Sequence, residues 1–431
     1  MNLFNLTKKL NECNDYIGQL EAQNKLLREN LTLAANQHDA TTESRYEQRR
    51  EAYLRPIREM AAYVGQRYEF RHNVVRDSYD YRQRSTDGSG EWTAVDERQL
   101  NSILSSVQDD GRVYCLKSLV VQRIRSQMAV DFHPVAAWLN EVRGTWDGRD
   151  RVAPLAARIN GSDYCRHMLH LWLRAVVAQW LGCDERHANA VMLLLVSTCQ
   201  GLHKSTFLHE LLPEELNSYY TDDFSLTSKG NAERKLTEFA LVNIDEFDKL
   251  PLRKMPDLKT LMQTLRPSFV KAYKSNFNQL PRIASFVGTS NSRQLLTDRT
   301  GSRRFLILEP EGVIDVENID HRQLYAQLLA EVEGGQRHFF NKDEERQMQR
   351  VNQQYYVPTP LEDLIGRFYR APHSGEEGQH TAARTLMTQL AKHAPTLMRT
   401  VSETAFARTL SRLGLPQEHT RDGNRWHVVA I

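Results

Sequence analysis

Residues 193–213 read LLLVSTCQGLHKSTFLHELLP. An apolar run stops at Ser197, a short polar loop follows, and a helix-like run begins at Lys204. A strand that passes through a short loop into a helix opening on lysine and a hydroxyl is the layout of a phosphate-binding loop, G-x-x-x-x-G-K-[ST]. The first glycine of that pattern is Thr198 here, and the second is His203. The chemistry, however, asks for more than glycines: backbone N–H groups to cradle phosphates, a lysine to neutralise them and a hydroxyl for Mg²⁺. Gln200, Gly201 and His203 supply the cradle, with Lys204, Ser205 and Thr206 at the start of the helix. Lys204 is then the phosphate lysine and Ser205 the metal hydroxyl. If the loop demands a positive φ at His203, the added Cβ costs on the order of 1 kcal/mol.

Such a loop needs partners. In FALVNIDEFDKL, residues 239–250, an apolar strand ends in Asp245 and Glu246. This is the arrangement of a Walker B strand, with Asp245 toward Mg²⁺ and Glu246 polarising a water. A buried strand ending in an exposed acidic turn looks the same in sequence. A further strand, RIASFVGTSN, ends in Asn291, and Arg303 and Arg304 precede the apolar run FLIL. In AAA+ type ATPases a polar residue in the position of Asn291 orients the water, and a guanidinium can reach a γ-phosphate. Surface ion pairing is the other reading of the two arginines. Parallel strands that present polar residues at their carboxyl ends build one crevice.

Taken together, QGLHKSTF, LVNIDEF, FVGTSN and LTDRTGSRRF resemble the virulence-associated protein E (VapE/VirE) family, as does WDGRDR ahead of them. The resemblance covers about Trp146 to Pro310. It implies a P-loop ATPase core similar to those of superfamily 3 helicases, found in phages, plasmids and genomic islands. It implies ATP and Mg²⁺ as cofactors, and Lys204, Glu246, Asn291, Arg303 and Arg304 as the catalytic set. Thr198 and His203 depart from the family pattern, which bears on turnover more than on fold.

Around this core the chain divides further. Leu3, Leu6, Leu10, Cys13, Ile17, Leu20, Asn24, Leu27 and Leu31 follow a 3–4 spacing, a seam of about four heptads with Asn24 at an a position. Residues 1–35 are therefore expected to form a coiled coil, or else one amphipathic helix docked on the rest. Residues 36–59 are polar and form a linker or an exposed helix. Residues 60–145 form a small α+β domain: YEFRHNVVRDSYDYR is a strand pair, followed by helices at ERQLNSILSSV and KSLVVQRIRSQM. Residues 146–345 are the ATPase core. Residues 360–431 carry three helix patterns and then a hairpin, the order of a winged helix, with a small protein-interaction module as the alternative. From Thr381 to Ile431 seven Lys/Arg stand against three acids. Arg408 and Arg412 are the candidates there for phosphate contacts.

Net charge over 431 residues is only +2, so the overall balance does not announce a nucleic-acid binder. A local one appears at residues 255–282, where Arg266, Lys271, Lys274 and Arg282 interleave with Phe269, Tyr273 and Phe277. Lys271, Tyr273 and Lys274 suit single-stranded DNA, where bases stack and phosphates pair. A charged helix with its aromatics in a core would show the same pattern. Five cysteines without a C-x-x-C pair suggest neither a disulfide framework nor a zinc cluster. No run is long and apolar enough for a membrane span, and a cytoplasmic location is expected. The expected function is a nucleic-acid-associated ATPase, helicase- or replication-initiator-like, of a mobile genetic element. The alternatives are a nucleotide-binding regulator with weak or no hydrolysis and an antiphage defence ATPase. The chain is expected to be a homo-oligomer, a coiled-coil dimer or a ring.

Overall fold

The computed structural model describes residues 14–28, 41–85, 90–111, 113–182, 187–226, 229–267, 281–296, 300–373, 375–420 and 423–431. The chain divides into two units, Met1–Phe132 and His133–Ile431.

In the first unit the described part of α1, residues 14–28, is helical with every side chain exposed. The seam positions Ile17, Leu20 and Leu27 are 50%, 42% and 51% exposed, so none of the described residues covers them. Leu3, Leu6, Leu10, Cys13 and Leu31 lie outside the described residues. The polar stretch after it is helix α2, Thr41–Arg67, which runs through Pro56. Ion pairs Arg58–Glu51 and Arg55–Glu59, both 2.8 Å, lie along it. Strands β1 (Tyr68–Asn73) and β2 (Ser78–Gln83) form the expected antiparallel pair. With β3 (Thr93–Ala94) and β4 (Val130–Phe132) they make a sheet in the order β3-β2-β1-β4. Helices α3 (Glu97–Asp109) and α4 (Lys117–Ile124) lie between β3 and β4 in the chain. Side chains alternate along a strand, so Tyr68, Phe70, Tyr79 and Tyr81 share one face. They pack there with Met60 and Val64 of α2, Ile103 and Val107 of α3, and Val120 of α4.

The second unit begins ahead of the boundary expected at residue 146. Helix α5, Pro134–Val142, packs on α11, His321–Glu333, with Trp138 edge-on to Tyr325 at 5.4 Å. The WDGRDR junction docks on the same helix: the Asp147 N–H donates to Gln323 and the Arg151 N–H to Gln327. Helices α6 (Val152–Ala157) and α7 (Asp163–Leu181) follow. Ser162 caps α7 and Gly182, at φ 63, ends it. Trp172 of α7 donates to the Val191 carbonyl at 2.9 Å, which anchors the start of the central strand.

That strand is β5, Met192–Val196, fully buried along its length. A continuous apolar run is the mark of a strand covered on both faces. It lies in a five-stranded parallel sheet, order β6-β7-β8-β5-β9. The other strands are β6 (Tyr220–Thr221), β7 (Leu241–Ile244), β8 (Ser285–Ser290) and β9 (Phe305–Leu308). Helices α8 (Lys204–His209), α9 (Lys229–Glu238) and α10 (Met255–Gln263) fall in the connections between them. Gly288 of β8 is a close-approach glycine. A Cβ there would meet the Ile244 carbonyl at 2.7 Å, Leu194 at 2.9 Å and the Met192 side chain. The fold is thus mixed α/β with a parallel central sheet.

Arg282, immediately before β8, is 1% exposed. It donates to the backbone carbonyls of Ala284, Leu261, Met262, Thr264 and Asn189. Burial lowers its guanidinium to about 9, against an ordinary value above 12. By sequence Arg282 belongs with the basic residues that suit nucleic acid. The structure instead makes it an internal pin between α10 and the sheet.

Helix α12, Lys342–Asn352, opens with a capping box at Asn341 and Glu344. The last stretch has its own core of Ile365, Leu386, Leu390, Phe406, Leu410, Trp426 and Val428. It comprises α13 (Pro360–Phe368), β10 (Tyr369–Arg370), β11 (Gln379–Ala382), α14 (Ala383–Ala391), α15 (Pro395–Arg399) and α16 (Glu403–Arg412), then the hairpin β12–β13 (Gln417–Thr420, Gly423–Ala430). Helices α13, α14 and α16 and the hairpin fall where the sequence patterns put them, and the short α15 is additional. The strands β10 and β11, which pair with β13, were not expected.

Candidate functional site

The carboxyl ends of β5, β7 and β8 converge because the three strands are parallel neighbours in register. From β5 the chain turns at Ser197, whose N–H donates to the Ser290 carbonyl at the end of β8, 3.1 Å. The loop then passes Gly201 at φ 74 and His203 at φ 56, ψ 27, and enters α8 at Lys204. The positive φ anticipated at His203 is therefore present, with a side chain where glycine would be unstrained. Leu202 is held from outside by the Ile314 N–H, 3.2 Å. The N–H groups of the first helical turn have no intrahelical carbonyl to meet, so they are free to face the loop's concavity.

Lys204 is 7% exposed. Its Nζ donates to the Asn291 Oδ1 at 2.9 Å and to the Cys199 carbonyl at 3.3 Å. Burial lowers its ammonium below the usual lysine value, opposed by the charge of nearby Asp245. Ser205 Oγ donates to Asp245 Oδ1 at 3.0 Å, and Thr289 Oγ1 donates to the same oxygen. The next N–H, of Glu246, reaches Thr289 Oγ1 at 3.4 Å. Glu246 sits in the left-handed region, φ 50 and ψ 51, and its carboxylate pairs with Lys249 at 2.6 Å. Two strained non-glycine residues thus face one crevice, and such strain concentrates at functional sites. Gln200 and Thr206 are exposed on the loop and the first turn of α8.

Lys204, Ser205, Asp245 and Asn291, named from three separate stretches, therefore meet, while Glu246 joins them through its backbone N–H to Thr289 and turns its carboxylate to Lys249. Sequence reasoning missed Thr289, which orients Asp245, and the pair Ser290–Asp248, hydrogen-bonded at 2.7 Å. The available signal was two hydroxyls in succession at the end of an otherwise apolar strand, beside Asn291.

The Virulence-associated protein E-like domain family matches residues 139–357, just over half of the chain. This chain belongs to that family. A second family, a domain of unknown function described from a B. Theta gene (DUF3874), matches residues 358–428. No curated protein matches the sequence. Two solved structures of the NrS-1 C terminal region (305–718) resemble the chain, one described as the apo structure and one as its A form. Each has a TM-score of 0.43, with 12% and 11% identity, and covers 87% of this chain and 99% of the other.

The remaining candidates of this VapE-like chain fall elsewhere. Arg303 and Arg304 end a 3-10 turn just before β9. Phe305 pairs with Met192, at the amino end of β5. A strand of five residues, roughly 16 Å, then separates the arginines from Ser197 at its carboxyl end. Arg303 pairs with Glu345 at 3.1 Å, so neither arginine joins the Lys204 cluster within one chain. Lys271, Tyr273 and Lys274 lie outside the described residues. Arg408 is exposed on α16. Arg412 pairs at 2.9 Å with Glu362, itself 1% exposed at its side chain, and so serves to neutralise a buried carboxylate. No described helix is long and apolar enough to cross a membrane.

Proposed function

We propose that the chain is a P-loop ATPase that works on nucleic acid, a helicase- or initiator-like protein in the replication of a mobile genetic element. The observation that carries this reading is the contact set Lys204–Asn291 and Ser205–Asp245 at the strand ends. Membership of the VapE-like family supports the mobile-element context.

The residues present fit a magnesium nucleotide. Ser205 Oγ and Asp245 Oδ1, 3.0 Å apart, put a hydroxyl and a carboxylate together, the kind of oxygen donors that would hold Mg²⁺. Mg²⁺ typically takes one or two protein oxygens and keeps water on its other positions. Bound there, it would neutralise charge developing on the phosphates. Lys204 supplies the opposing positive charge from a buried position, where screening is weak. Gln200, Gly201, His203 and Thr206 contribute backbone N–H groups. Thr289, donating to Asp245 Oδ1, holds the carboxylate in place beside Ser205. Glu246 and Asn291 hold and polarise the attacking water.

Arg303 and Arg304 stand at the other end of the sheet, so they can complete only the site of a neighbouring copy. This accords with a homo-oligomer, paired through the coiled coil of residues 1–35 or closed into a ring. DNA would be met by Lys271, Tyr273 and Lys274, and by Arg408 on a winged-helix-like C-terminal domain. Such a protein works in the cytoplasm.

The Glu246–Lys249 pair favours a second reading. A carboxylate engaged at 2.6 Å is a poor partner for water until the pair opens, as expected of a nucleotide-binding regulator with weak hydrolysis.

Two variants test the proposal. Lys204→Ala should abolish nucleotide binding, while Glu246→Gln should keep binding and stop hydrolysis. Parent-like binding and turnover in both would remove the site assignment. Lys249→Ala separates the two readings: faster hydrolysis than the parent supports the regulator.

A further inference from the structure

The sheet of the first unit has two unlike faces. Tyr68, Phe70, Tyr79 and Tyr81 pack against helices. Period two then puts Glu69 and Arg71 of β1, with Asp80 and Arg82 of β2, on the opposite face. The register sets Glu69 across from Arg82 and Arg71 across from Asp80. They pair as ions at 2.6 Å and 2.9 Å. Trp92, partly buried, lies over both guanidiniums, 4.4 Å from that of Arg71 and 4.7 Å from that of Arg82. Arg71 rests in turn on Phe132 of β4, at 3.7 Å.

Beside this stack opens a cavity of about 440 Å³, lined by Trp92, Arg71, Arg84, Arg123 and Phe132. Apolar rim residues stay in water: Met128 is 55% and Val130 71% exposed. Arg84 is held to Glu69 at 2.9 Å but remains half-exposed. The Arg123 guanidinium has no side-chain partner among the described residues. The volume lies within the range of small-ligand pockets, about 300–1,000 Å³. A flat aromatic surface held in place by guanidiniums, with further arginines beside it, suits a planar base joined to a phosphate.

We propose that this face of the first unit seats single-stranded nucleic acid, with an unpaired base against Trp92 and its phosphates at Arg84 and Arg123. The base must be unpaired, because a concave seat of this size admits one nucleotide and not the width of a duplex. Recognition is tolerant of sequence, since every base presents a flat face. The Arg71 and Arg82 guanidiniums fix the Trp92 ring before anything binds, which lowers the ordering cost of the complex. The seat is independent of the Lys204 site and requires no nucleotide.

The test uses the full chain, without ATP, and labelled oligo(dT). Ultraviolet cross-linking followed by peptide mapping should place adducts on Trp92 or Phe132. Trp92→Ala should weaken binding about 5- to 160-fold, the effect of one lost base stack. Arg123→Glu breaks no hydrogen bond or ion pair among the described residues, so it keeps the proposal testable if Trp92→Ala misfolds. It should weaken binding several-fold and flatten the salt dependence by about 0.7 in log–log slope. Parent-like affinity in a folded Trp92→Ala and in Arg123→Glu, with adducts only elsewhere, overturns the proposal. Equal competition by duplex DNA overturns the unpaired base. Equal competition by free thymidine monophosphate makes the seat a mononucleotide site and overturns the strand.

Discussion

Replacing His203 with glycine isolates the cost of a side chain in the phosphate loop. His203 holds φ 56, ψ 27, is exposed, and its imidazole makes no hydrogen bond among the described residues. For an L-residue the left-handed region costs about 1–2 kcal/mol, and histidine, one of the side chains enriched there, belongs at the lower end. Glycine removes that strain, but it also gives the unfolded chain about 0.4–1 kcal/mol of extra freedom. The net expectation for His203→Gly is a gain of about 0.5 kcal/mol, a rise of roughly 1–2 °C for a unit of this size. His203→Ala keeps the Cβ and so should gain nothing, which makes it the control. Thermal unfolding of the three proteins reads the difference. If glycine and alanine lower the melting temperature equally, the imidazole stabilises the loop and the strain argument fails. Nucleotide affinity at pH 6 and pH 8, on either side of histidine's ordinary range, reads the other possibility. A loss on the order of tenfold or more at pH 6 in His203→Gly, with little change at pH 8, would mean that a charged imidazole holds phosphate, since one charge-assisted hydrogen bond is worth about 1.5–3 kcal/mol.

Other perturbations follow from contacts remote from the loop. Arg282→Met should cost about 3–5 kcal/mol in urea unfolding, because five buried carbonyls lose their donor at once; a loss under about 1 kcal/mol would deny Arg282 its role as a pin. Glu344 bonds Arg337 through both oxygens and also meets His167 at 2.8 Å. Desolvation would raise its carboxyl, but Arg337, the Asn341 N–H and His167 prevail and hold it at about 2, below its ordinary 4.5. A depressed carboxyl contributes stability that is complete above about pH 4.5 and lost as pH falls toward about 2, here on the order of 2–3 kcal/mol. Glu331, lowered in the same direction by His170 and Gln327 against desolvation, adds to the same window. Melting curves of Glu344→Gln should therefore converge with the parent's as the pH drops from 5 to 3, and parallel curves would contradict the linkage. Deleting residues 1–35 should lower the number of copies per particle in solution without lowering the melting temperature of the second unit; an unchanged copy number would leave α1 a helix with no partner copy.

Much of this protein is local in origin and so was legible along the chain. Met192–Val196 is a buried strand because five successive apolar residues leave no polar face. The YEFRHN and SYDYRQ runs alternate and pair, and the helices near 361, 382 and 402 keep their 3.6-residue period. Asp245 and Asn291 each end an apolar run and Lys204 opens the helix after one, so each could be named from its own stretch. What no local pattern contains is register and depth. Lys204 and Asn291, 87 positions apart, touch only because β5 and β8 lie side by side. Arg303 and Arg304 read like members of the same site, yet the pairing of Phe305 with Met192 sends them to the opposite end of the sheet. Arg282 belonged by composition to an exposed basic stretch, but the carbonyls that α10 leaves unpaired drew it inside. Charge and side-chain type are properties of a position in the chain. Which end of a parallel strand a residue occupies, and whether water reaches it, depends on partners scores of residues away, and only the packed structure brings them together.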